Sequence, residues 1–201
     1  MELVLQQGFF QGYLEVLGND LLCEILGAET PPFILEKRKN SLNKPLDPVF
    51  FVFFDEAFRK KYGKLGSEGI ARSAGRLAFN GYKDAIPVLV KCGLIENRLL
   101  PFAEKIGGTL QDFLDELNEQ AFTSLRMERV VQDNTWLLKG KLCLPKGTLL
   151  QVGDQQFFIG MLESLLEWMD SRHVFQVEQK AGLQEQKSGK IDLLVSVKRY
   201  D

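Results

Sequence analysis

The last quarter of the chain, Phe157 to Arg199, constrains the fold more than any other stretch. Phe158, Met161, Leu162, Leu165, Leu166 and Met169 recur at the three- and four-residue spacing of a helix with one buried side, while Glu163 and Glu167 fall on another face. The pattern then changes period. His173 to Ala181 alternates apolar with polar residues, and Lys190 to Arg199 places Ile191, Leu193, Val195 and Val197 on one face of a strand. The polar stretch Gly182 to Gly189 joins the two. A helix followed by a long antiparallel pair with one apolar face requires a cover on that face, so the helices belong on one side of a sheet.

Upstream, Ser124 to Val131 and Thr135 to Leu144 alternate as strands around Gln132-Asp-Asn, a turn with the residue types of a hairpin. Together with the C-terminal pair they predict an α/β fold of the α+β type, in which helices pack on one face of a four-stranded, twisted antiparallel sheet. Leu3 to Leu26 reads as an amphipathic helix ended by Gly27. Gly8, Gly12 and Gly18 each weaken it by about 1 kcal/mol relative to alanine, unless they serve close packing. A link from Thr30 to Asp47 follows, with Pro31, Pro32, Pro45 and room for a short strand at Phe33 to Leu35. The organisation is thus an N-terminal helix and linker, 1–47, and a main part, 48–201, forming one compact unit. Val49 to Phe54 fits a buried strand or a helix start, and Asp55 to Tyr62 favours the helix. Leu65 to Tyr82, Ala85 to Leu100 and Thr109 to Ala121 read as further helices, the first with small residues at Gly66, Gly69, Ser73 and Gly75 or Ala74 that let another backbone approach.

The order of elements, the run Gly160-Met-Leu-Glu-Ser-Leu-Leu-Glu and the closing Ile191-Asp-Leu-Leu-Val-Ser-Val-Lys-Arg resemble the C-terminal half of the 4-vinyl reductase domain and of the small subunits of the TRAPP tethering complex. Leu65-Gly-Ser-Glu-Gly-Ile-Ala-Arg-Ser-Ala-Gly-Arg-Leu is similar to the glycine-bearing helix of both groups. The resemblance covers roughly Val49 to Arg199. It implies helices on a twisted antiparallel sheet, pairing into dimers and a buried apolar channel or pocket. It does not imply catalysis, since these families include ligand sensors and scaffold subunits beside proteins of chlorophyll-type pigment synthesis. Some 4-vinyl reductase members carry a cysteine cluster in the last two strands; Val174 to Arg199 contains none, which puts metal binding on that pattern in doubt.

Composition removes several classes. With 45% hydrophobic residues in 201, a full core is within reach, and 25 basic against 27 acidic residues leave no positive field for nucleic acid. The short basic runs at Glu36-Lys-Arg-Lys and Arg59-Lys-Lys read as solvated faces, with a peripheral membrane contact as the alternative. No apolar run approaches the length of a membrane span, and the Met-Glu start lacks a secretory n-region, so a cytoplasmic protein is expected. Cys23, Cys92 and Cys143 are odd in number and far apart, which suits reduced core thiols. There is no P-loop, no Gly-x-Ser-x-Gly elbow and no dinucleotide fingerprint, and the single histidine has no metal-ligating neighbour in sequence.

What remains is a set of anchors. Arg72 and Arg76, four apart on one helical face, could hold one carboxylate or phosphate from two points, or pair with Glu68 or an acid across the fold. His173, at the start of a strand, reads as a capping residue or as one facing a ligand such as a tetrapyrrole. Phe50, Phe54, Trp136 and Trp168 are core residues or pocket walls. The expectation is a noncatalytic module of the resembled superfamily that binds a lipid or tetrapyrrole or scaffolds an assembly, as a homodimer or in a protein complex. An enzyme or accessory factor of chlorophyll-type tetrapyrrole metabolism is the alternative.

Overall fold

A computed structural model describes residues 2–30, 48–119, 126–130, 135–141, 152–179 and 190–198. In chain order the elements are helices α1 (Glu2–Leu17) and α2 (Asn19–Leu26), a 3₁₀ turn (Gly27–Glu29), α3 (Pro48–Tyr82), α4 (Pro87–Cys92), α5 (Ile95–Arg98), α6 (Phe102–Glu119), strands β1 (Arg126–Val130) and β2 (Thr135–Lys141), α7 (Val152–Met169), and strands β3 (Val174–Gln179) and β4 (Lys190–Lys198). The four strands form one antiparallel sheet in the order β1-β2-β4-β3, the architecture that the alternating segments predict.

Pairing explains which strand residues are buried. Trp136 lies opposite Val195 and Leu138 opposite Leu193, with Val177 on the other side of Val195, and all five are buried. The intervening Leu137, Leu194 and Ser196 are half-buried and Gln176 is exposed, so a period of two separates the faces. Ile106, Leu110, Phe113, Leu114 and Leu117 of α6 follow the helical period and supply a buried stripe.

Several boundaries differ from the sequence reading. Leu3 to Leu26 is two helices, because Gly18 takes φ 77°, a left-handed value that interrupts the ladder. Val49 to Phe54 is helical, within α3, and α3 runs on through Tyr82 across a kink at Gly63, whose φ of 70° glycine adopts without a Cβ penalty. Ala85 to Leu100 resolves into the short helices α4 and α5, separated by an extended Leu94. α6 begins at Phe102, seven residues before the expected Thr109, because Pro101 ends the preceding segment and Lys105 N–H already bonds the Pro101 carbonyl. The expected strand at Phe33 to Leu35, the hairpin turn Gln132 to Asn134, Cys143 and the loop Gly182 to Gly189 lie outside the described residues.

The helical layer is built on α1, α3 and α7. Phe9, Phe10 and Tyr13 of α1 meet Phe51, Phe54 and Phe58 of α3 and Phe157 of α7 in edge-on, tilted and stacked contacts with ring centroids from 4.8 to 6.2 Å apart. Farther along, α3 and α7 touch through backbone. A Cβ on Gly75 would fall inside the contact distance of the Phe157 carbonyl, and one on Gly160 inside that of the Arg72 carbonyl. Of the expected small residues, Gly75 therefore receives α7, whereas Gly66, Gly69 and Ser73 are exposed. Among the described residues, no helix is long and apolar enough to cross a membrane.

Candidate functional site

Two carboxylates on or just beyond α7 organise the polar chemistry of the described residues. The first is Glu163. Arg72 donates to both of its oxygens, with Nε 3.1 Å from Oε2, and Arg76 donates to Oε2 from Nε at 2.9 Å and Nη2 at 2.7 Å. Burial pushes this carboxyl up, but the two guanidiniums outweigh it and hold it below the ordinary glutamate range. The spacing of Arg72 and Arg76 does grip one carboxylate from two points, and that carboxylate belongs to the chain itself.

The second is Asp170, one residue past α7. Its side chain is 1% exposed and its Oδ2 takes Lys105 Nζ at 2.5 Å, a lysine only 4% exposed on the first turns of α6. Arg172 closes on the same group from the solvent side, its backbone N–H and Nε at 3.1 and 3.2 Å from Oδ1 and its Nη2 at 3.0 Å from Oδ2. The bonds from Arg172 and Lys105 together outweigh burial and hold this carboxyl far below the ordinary aspartate range. His173 Nδ1 is 3.3 Å from Oδ1. The two atoms are within reach but not aligned for a closed hydrogen bond, so Nδ1 is a buried nitrogen facing a carboxylate without a full bond.

An aromatic corner surrounds this hub. The Phe102 ring, at the start of α6, lies 4.4 Å from the His173 ring, 6.1 Å from Phe175 and 6.2 Å from Trp136. Trp136 is fully buried, yet its indole N–H meets no acceptor among the described residues. It points against Gly107 of α6, where a Cβ would sit 3.1 Å from Nε1. His173 keeps 39% of its side chain exposed. Since Nδ1 is buried, the exposed part is the opposite edge, which carries Nε2.

The expected anchors thus divide between places. Trp136 and His173 come together at the Phe102 corner. Phe50 and Phe54 sit in the aromatic layer against Phe10. Trp168 packs on Phe79 and under the Arg98 guanidinium, 5.1 Å from its ring. Lys105, Asp170 and Arg172 were not singled out from sequence. Asp170-Ser-Arg172 carries a local signal, because an Asp often bonds the N–H two residues on, but nothing local links Lys105 to it across 65 positions.

No protein-family model matches this sequence, and no curated protein does. Solved structures do. An oxygen-binding H-NOX domain related to soluble guanylate cyclases, in its oxygen complex, superposes with a TM-score of 0.62 at 16% identity over 99% of this chain and 96% of that one. An H-NOX structure used to probe heme distortion gives 0.65 at 16% identity, over 100% and 97%. An H-NOX protein from S. oneidensis in the Fe(II)NO state gives 0.63 at 11% identity, over 99% and 100%. These likenesses overturn the resemblance to 4-vinyl reductase domains and TRAPP small subunits. The binding or scaffolding role in that superfamily, the pigment-metabolism alternative and the link to photosynthesis fall with it, whereas a tetrapyrrole as such stays compatible with a fold whose solved H-NOX examples carry heme. The motifs that suggested it are small and apolar residues, which report helix packing and sheet layering rather than lineage. Identities this low carry the fold alone: over its length the chain has the fold of an H-NOX domain.

Proposed function

We propose that this chain is a sensor-type domain of the H-NOX fold that takes up haem, with His173 as the protein ligand to the iron. The observation that carries the reading is the setting of His173, the one histidine of the chain, on a fold shared with solved H-NOX domains that hold haem. Haem iron is taken by imidazole, thiolate, thioether or phenolate donors. Burial pushes the Cys92 thiol up and away from the thiolate form, and it raises the Tyr82 phenol likewise. Met161 and Met169 are packed in the core. His173 differs from these, with Nδ1 turned inward to a carboxylate and the other edge open.

The donor set fits the group on chemistry. Ligating histidines almost always turn their second nitrogen to a carboxylate, carbonyl or water, which fixes the ring. Phe102 and Phe175 offer apolar faces beside the ligand, the environment a porphyrin face takes. Arg72 and Arg76 both bond Glu163 and are not assigned to the propionates. When bound, haem supplies an iron that takes a diatomic gas. His173 would hold the group through its imidazole, with Phe102 and Phe175 as an apolar wall beside it.

Titration of the purified protein with hemin tests this. A Soret band that saturates at one equivalent in the native protein and is lost in His173→Ala is the expected result. A native protein without such a band, or a band unchanged in His173→Ala, sinks the proposal.

A further inference from the structure

The Asp170 hub is over-subscribed. A carboxylate has about four lone-pair positions, and Arg172 and Lys105 already place four donors on it: Arg172 N at 3.1 Å and Nε at 3.2 Å on Oδ1, with Arg172 Nη2 at 3.0 Å and Lys105 Nζ at 2.5 Å on Oδ2. His173 Nδ1 stands fifth in line, 3.3 Å from Oδ1. Lys105 is buried and held in place, whereas the Arg172 side chain is 78% exposed, so the one partner that can leave at little cost is the arginine. The imidazole cannot turn away freely, because Phe102 packs at 4.4 Å and Phe175 at 6.5 Å.

We propose that Asp170 is the orienting group of His173, selecting the tautomer with its proton on Nδ1 and so presenting the Nε2 lone pair on the open edge, and that Arg172 competes with the imidazole for Oδ1. Lys105 fixes the carboxylate from the buried side. Asp170, Lys105 and Arg172 act through His173 and are positioning residues. The ligand class this edge suits is a transition-metal centre that accepts imidazole nitrogen, haem iron first among them; that last step rests on the haem reading, while the tautomer does not.

A single histidine makes the test clean. Long-range ¹H–¹⁵N correlation on labelled, haem-free protein, at a pH where the ring is neutral, reports which nitrogen carries the proton. The native protein should show a protonated Nδ1 and a bare Nε2. Arg172→Ala should raise that population, because Nε leaves Oδ1 while the backbone N–H stays. Asp170→Leu made together with Lys105→Met removes both buried charges, so that neither is stranded, and should shift the balance toward Nε2–H. In the hemin titration the double variant should bind about 10- to 100-fold more weakly than the native protein, the range seen when an outer-shell partner is lost. A native ring that is mainly Nε2–H, or a balance unmoved in the double variant, overturns the proposal. An Nδ1–H ring in a protein that takes up no haem leaves it standing and sinks the haem reading. Haem uptake through His173 with an Nε2–H ring does the reverse.

Discussion

Glu163 and Asp170 lie seven residues apart, about two helical turns, and each carboxylate gathers two cationic side chains. They behave differently because their surroundings differ. At Glu163 both cations reach solvent, with Arg72 38% and Arg76 55% exposed, and the helices behind them touch backbone to backbone at Gly75 and Gly160. At Asp170 one cation is sealed in, and the neighbouring indole and imidazole carry buried nitrogens without a closed hydrogen bond. The same ion chemistry makes a clamp in the first place and, in the second, a corner whose neighbouring nitrogens stay unbonded. What distinguishes a site from a strut here is polar capacity left over after the local pairs have formed.

The comparison can be broken most forcefully at Asp170. Asp170→Ala strands the Lys105 ammonium in the interior and should cost about 3–5 kcal/mol of stability, read from urea denaturation; the combined Asp170→Leu and Lys105→Met variant should recover most of that loss. Next comes the clamp. Gly160→Val forces a branched side chain against the Arg72 carbonyl, and overpacking of this kind should destabilise by roughly 1–3 kcal/mol, whereas Gly69→Ala, where a Cβ meets open space, should be neutral or mildly stabilising in the same experiment.

A smaller effect is expected at Glu163. Glu163→Gln removes the charge that two partly solvated arginines share, and a loss of about 1 kcal/mol is expected, shrinking in high salt. Its pH dependence has a fixed sign. The folded carboxyl is held below the ordinary glutamate value, so the stabilisation is complete above the unfolded pKa of about 4.3 and is lost progressively as pH falls through and below it. The gap between native protein and Glu163→Gln should therefore be present at neutral pH and close in acid. A gap that persists unchanged well below that value would mean that packing, not charge, holds the arginines. The smallest effect on stability belongs to Arg172→Ala, whose side chain is exposed: its unfolding curve should overlay the native one while the His173 tautomer and hemin affinity respond. A large stability loss there would erase the contrast between the two carboxylates.

Much of this was legible locally. The period change from α7 to β3 marks the layer boundary, and the alternation around Leu193 and Val195 names the buried face of the sheet. Arg72 and Arg76 could be placed on one helix face by spacing alone. The partner Glu163 could not, since 91 positions separate it from Arg72. Trp136 and His173 were each recognisable as residues able to serve a ligand, but Phe102, which joins them, has no signature beyond following a proline. The resemblance misled for a related reason: glycine and alanine at helical spacing state that two backbones approach, and unrelated chains meet that requirement with the same residues.

The sequence by itself determined the element types, the one-sided sheet and the presence of a single imidazole, because periodicity and composition are properties of neighbouring residues. Only the tertiary structure decided that the two arginines are spent on Glu163, that Lys105 and Asp170 form a buried pair across 65 positions, and that His173 turns one nitrogen inward and leaves the other edge open. Those outcomes depend on which helix faces meet, and they follow from burial and closure of the whole chain rather than from any segment of it.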